Sequence, residues 1–171
     1  MYVPPNSNTK YLNRLAGELY AFAGKFGVSI SPLTTSISDR KIGEVYLPSR
    51  GIFEKLNPHS EPAGLIFRDG SFLVLQEIIR FDYREETHPD PTLYRTKYSY
   101  HYQRPSDYFF FRYDHHPDIG DAETHPLHHL HCAGWPPDGT KFQEVPRFEV
   151  NETTLAKVLR LILISFPSIV S

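Results

Sequence analysis

Six of the nine histidines in this 171-residue chain lie between positions 115 and 131: His115, His116, His125, His128, His129 and His131. Imidazole titrates near neutrality and serves as acid, base or metal ligand before it serves as packing, so a cluster this dense marks a candidate site. Three kinds of chemistry fit it. Metal-free ribonuclease chemistry needs a base for a ribose 2′-hydroxyl, an acid for the departing 5′-oxygen and a cation for the phosphorane. His128 or His131 with His101, and Arg112 or Lys97 for charge, would fill those roles. A divalent metal is the second reading: His129 and His131 have the H-x-H spacing that lets two imidazoles of an extended segment meet one ion, and His125 with Asp114 or Glu77 would complete the set. No H-E-x-x-H frame accompanies it. The third is a histidine-rich loop, solvated, hydrogen-bonded or facing a partner.

The candidate catalytic residues are therefore Glu77, His101, Arg112, Asp114, His128, His129 and His131, with Arg95, Lys97 and Tyr100 as substrate-binding residues. The favoured reading requires no cofactor, and a divalent metal belongs to the alternative. There is no G-x-S-x-G elbow, Walker loop or dinucleotide fingerprint, which argues against serine-hydrolase, P-loop and Rossmann chemistry.

The elements that must hold these residues read as α+β. Leu12, Leu15, Ala16, Leu19, Phe22, Ala23 and Phe26 repeat at helical spacing, with Asn8 as N-cap and Gly24 and Gly27 as terminators. Residues 28–60 read as a linker or accessory region around a short strand, Glu44 to Leu47. Asp69-Gly70 between apolar runs predicts a two-residue hairpin that sets Arg68 opposite Ser71 and Phe67 opposite Phe72. The following strand carries Leu73, Leu75, Glu77, Ile79 and Phe81 on one face, so Glu77 interrupts an apolar row and needs a partner or a task. An acidic loop from Asp82 to Pro91 holds a solvated His88. From Leu93 to Gln103, Tyr94, Thr96, Tyr98, Tyr100 and Tyr102 alternate with Arg95, Lys97, Ser99, His101 and Gln103, giving one aromatic and one basic face. Tyr108 to Asp114 returns, with Arg112 and Asp114 opposite to Phe111 and Tyr113. Trp135 anchors a turn-rich loop, and Asn151 caps a last helix with Glu152 in its first turn and Pro167 at its end.

These readings give a four-stranded antiparallel β-meander with N- and C-terminal helices packed on one face and the histidine loop beside the opposite, basic face, divided as 1–60 and 61–171. The net charge of −2 excludes a generally basic nucleic-acid coat but leaves a local basic face. The single cysteine, Cys132, excludes an internal disulfide and fits a reducing cytoplasm. The start MYVPPNSNTK lacks a signal-peptide core, and Arg160 and Pro167 break the late apolar run, so no membrane span is expected.

The order of motifs resembles the TumE family of toxins over about residues 62–165. The resemblance is carried by Arg68-Asp69-Gly70-Ser71, Glu77, Lys97 to Gln103, Phe111-Arg112-Tyr113-Asp114, His115-His116-Pro117 and Thr124 to His131. It implies the toxin of a type II toxin–antitoxin system and a cognate antitoxin protein as partner. With the histidine chemistry, the expected function is an RNA-targeting endoribonuclease. A non-catalytic RNA- or protein-binding module and a metal-dependent hydrolase are the alternatives, and the oligomeric state is left open.

Overall fold

The computed structural model describes residues 6–38, 42–57, 59–82, 92–117, 125–134 and 146–169. Among them are three α-helices, α1 (Asn6–Phe26), α2 (Arg50–Phe53) and α3 (Leu155–Ser165). One sheet holds nine strands: β1 (Ser29–Ile30), β2 (Thr34–Ser38), β3 (Ile42–Leu47), β4 (Leu65–Ile66), β5 (Phe72–Asp82), β6 (Thr92–Arg104), β7 (Phe109–His115), β8 (His128–Gly134) and β9 (Arg147–Glu149). Strands β4 to β9 lie side by side in sequence order, and all pairings in the sheet are antiparallel. On the far edge of β5, β4 pairs with its first residues and β3 with the rest. Residues on both sides of position 60 therefore share the sheet.

The α+β class is as predicted, but among the described residues the sheet has nine strands rather than four. Three of the five added strands are too short to show alternation: β1 has two residues, β9 three and β2 five. The other two additions are β3, which the sequence places in the linker or accessory region, and β8, read from the sequence as loop. Its His129 and His131 are buried while the residues between and beside them are half-buried, an alternation hidden because histidine does not register as apolar.

Both terminal helices pack on the aromatic face. Leu15, Leu19 and Ala23 of α1 and Leu155, Val158, Leu159 and Ile162 of α3 are buried in one cluster with Leu73, Leu75, Ile79, Tyr98, Tyr100, Tyr102 and Phe111. Each large apolar side chain so enclosed contributes roughly 1.5–3 kcal/mol. Helix α1 begins at Asn6, so Asn8 lies inside it, and Gly27 at φ 63° follows its end. Helix α3 begins later than predicted because Thr154, not Asn151, is its cap, accepting from the Lys157 amide at 3.3 Å. Glu152 is thus free of the helix and reaches the sheet instead. None of the described helices is long and apolar enough to cross a membrane.

Two registers depart from the predicted ones. At Asp69-Gly70 the Gly70 amide donates to the Phe67 carbonyl, Phe67 in turn donates to Ser71, and Ile66 pairs with Phe72. Of the two central residues Gly70 alone has positive φ, 80°, whereas a primed two-residue turn would demand it of Asp69 as well. Asp69 instead accepts from the amide and hydroxyl of Ser71, fixing the longer turn. In the pair β5–β6, Ile78 opposes Lys97 but Ile79 opposes Arg95, leaving Thr96 as an extra residue. That bulge moves Arg95 to the aromatic face. The positions of His88 and Trp135 lie outside the described residues.

Candidate functional site

Strands β6, β7 and β8 run side by side, and their registers draw two rows across the face opposite to α1 and α3. Ser99, Asp114 and His129 stand opposite one another in the first, and His101, Arg112 and His131 in the second. Strand β9 extends the rows with Glu149 and Arg147. Long-range pairing thus brings together residues that the sequence spreads over thirty positions.

Asp114 is the centre of this arrangement. Its carboxylate is 4% exposed, accepts from the Ser99 hydroxyl and from Arg112 Nε at 2.7 Å, and has His131 Nε2 at 3.4 Å and His129 Nε2 at 3.7 Å. Burial pushes the Asp114 carboxyl upward, but the hydrogen bonds of His131 and Ser99 and the charge of Arg112 outweigh it and hold the group well below the usual carboxylate range. The ionised form is therefore the native one. His129 Nδ1 is 2.7 Å from the Pro126 carbonyl, an oxygen that only accepts, so the Nδ1 proton is fixed there. Rings of His125 and His131 approach that of His129 with centroids at 4.3 and 4.8 Å. The candidate ligand atoms of Asp114, His129 and His131 all lie within 4.8 Å of one another.

The neighbours on this face are graded in character. His101 is buried, stacks on Phe110 at 5.4 Å and pairs through Nε2 with the Gln103 side chain at 3.2 Å. Burial and the Arg112 charge push its pKa down to about 3, so it is neutral at pH 7. Lys97 lies two positions before Ser99 on the same face, and burial together with the Lys97 charge lowers His116 to about 4. Arg112 is the most open member of the Asp114 cluster, with its side chain 38% exposed.

The remaining predicted residues lie on the helix face, with the sheet between the two groups. Glu77 is 1% exposed and accepts from the hydroxyls of Tyr11 and Tyr100, with Arg95 Nη1 at 3.8 Å. Arg95, carried here by the bulge, also bonds the Tyr100 hydroxyl and Glu152, both at 2.7 Å, and covers the Tyr98 ring. Arg95 is thus absent from the basic surface expected of it. Burial and the Glu77 charge raise the phenol of Tyr100 well above its ordinary range. His128 accompanies this group, stacked on His115 at 4.4 Å, with Nδ1 3.1 Å from the Tyr98 hydroxyl.

Sequence reasoning missed Ser99 and Tyr11. Ser99 could have been found, since it shares the predicted face of His101 and lies one turn of the alternation from it. Tyr11 gave no signal, because its partner is 66 positions away on another element.

No curated protein and no solved structure shows significant similarity to the chain. A family model described as Toxin TumE matches residues 46–165, beginning within β3 and ending at the last residue of α3.

Proposed function

The chain belongs to the TumE toxin family, and from that premise we propose that it is an RNA-cutting toxin whose site is the cluster of Asp114, His129, His131 and Arg112. The observation that carries the reading is the single buried carboxylate of Asp114 shared by one guanidinium and two imidazoles. A toxin of this kind must be silenced by a partner, and a cognate antitoxin protein is the partner proposed. Arg112, the most open member, meets the phosphate of the substrate. His129 and His131 are the groups that act at the scissile phosphodiester, and Asp114 positions both. Glu77, Tyr100 and Arg95 on the other face tie the sheet to α1 and to the segment leading into α3 and take no part in the reaction.

The test is incubation of the purified chain with total RNA. Cleavage by the native chain, lost in a folded His129→Ala, His131→Ala double variant, is the expected result. RNA bound but left intact would instead make the chain a binding module without catalysis, and undiminished cleavage by the folded double variant would remove the site from this cluster.

A further inference from the structure

We infer that Asp114, His129 and His131 form a binding site for one divalent transition-metal ion of the zinc type. The inference deepens the reading of this cluster as the reaction site by specifying how its two imidazoles act. Its first support is an arrangement of lone pairs. With its proton held at Nδ1 by the Pro126 carbonyl, a neutral His129 turns the lone pair of Nε2 toward Asp114 Oδ2, 3.7 Å away. Two acceptors then face each other where both side chains are almost wholly shielded from water. A cation between them resolves that conflict.

The second support is distance. Ligands about 2.1 Å from a tetrahedral ion are separated from one another by about 3.4 Å. Oδ2 of Asp114 is 3.4 Å from His131 Nε2 and 3.7 Å from His129 Nε2. All three ligand atoms fall within 4.8 Å, so a shift of the two rings suffices to enclose an ion.

The third is the outer layer of partners. Pro126 orients His129, Ser99 holds the second oxygen of Asp114, and Arg112 Nε takes one lone pair of Oδ2; the other, which accepts from His131 when no ion is bound, passes to the ion as His131 Nε2 releases its proton. Two imidazole nitrogens and one carboxylate oxygen favour a zinc-like transition metal over calcium or magnesium, which prefer oxygen alone. Three protein ligands leave an open position, as catalytic rather than structural sites do. A phosphodiester oxygen brought in by Arg112 has the chemistry to occupy it.

The experiment is titration of the full chain, stripped by chelator, with zinc followed by calorimetry and with cobalt followed by its visible spectrum. One ion per chain is expected, with the bands of a low-coordinate nitrogen and oxygen site. Affinity should fall in His131→Ala and Asp114→Asn by more than the roughly 10–100-fold that loss of an outer partner costs and stay unchanged in His128→Ala, which alters a ring on the opposite face. Imidazole nitrogen NMR of the unaltered chain identifies the ligands without relying on variants: zinc should shift His129 and His131 together. Absence of stoichiometric binding by the folded chain, or shifts confined to other histidines, would overturn the inference. RNA cleavage that persists in chelator with no ion bound would sink the metal site and leave the ribonuclease reading standing, whereas a bound ion without cleavage would do the reverse.

Discussion

Asp114 keeps its charge inside the protein because three directed neighbours outweigh the loss of water around it. Replacing it by Asn preserves volume but presents an amide nitrogen to Arg112 or to an imidazole. The expected loss is about 3 kcal/mol, the lower end for a broken buried pair because Arg112 retains some solvent. Urea denaturation at pH 7 measures it. The depressed carboxyl also fixes a sign: its stabilisation is complete above the unfolded value of about 3.9 and is lost as pH falls through the lower folded value. His101 acts over a different window. Its folded pKa of about 3 lies below the ordinary value of 6.5, so between the two the unfolded chain takes up a proton that the folded chain refuses. Stability should fall as pH drops through this window, by up to about 1.4 kcal/mol per pH unit from this ring. His101→Phe, which keeps the stack on Phe110, should flatten the slope by that share, and an unaltered slope would mean that His101 is charged or solvated in the fold. The histidine density made this region legible as a candidate site from sequence. What could not be read was which rings face which side, because that depends on β8 being a strand.

At the scale of elements, one extra residue decides where a strong cation goes. Simple alternation along β6 sends Arg95 to the same side as Lys97 and His101, yet the bulge at Thr96 turns it to the helices. There it joins Glu77, Tyr100 and Glu152 with its own side chain only 11% exposed. Arg95→Ala is accordingly a stability variant: it leaves Glu77 without its cation and should cost about 2–4 kcal/mol. The salt dependence of RNA affinity should be unchanged, whereas loss of a phosphate contact would reduce the slope by about one. A reduced slope would return Arg95 to the substrate surface. The same physics explains what the sequence showed of the fold. The helical stripes of α1 and α3 and the long alternations of β5 to β7 repeat often enough to reveal their period. Strands of two or three residues do not, and the bulge and the glycine-led turn at Gly70 each shift the register by a single residue that no period encodes.

At the scale of the molecule, the sheet separates two polar networks that the sequence presents as one set of residues. On the helix face Glu77 collects Tyr11 from α1, Tyr100 from β6 and Arg95, which continues to Glu152 ahead of α3. This network is buried at Glu77 and Arg95, reaches the surface at Glu152 and joins three elements, the pattern of a structural tie. On the opposite face Asp114, His129 and His131 lie beside the more open Arg112. Variants on the two faces should therefore abolish toxicity for different reasons. Glu77→Gln weakens the fold by removing the charge opposite Arg95, so growth arrest lost at 37 °C should return in cells grown cool, where a destabilised domain regains its folded population. The His129→Ala, His131→Ala double variant should remain harmless at every temperature while keeping secondary structure and a cooperative urea transition. Growth curves at two temperatures, paired with circular dichroism of the purified chains, separate the cases. Cool rescue of the double histidine variant, with no rescue of Glu77→Gln, would exchange the roles of the two faces and place the chemistry between the sheet and its helices.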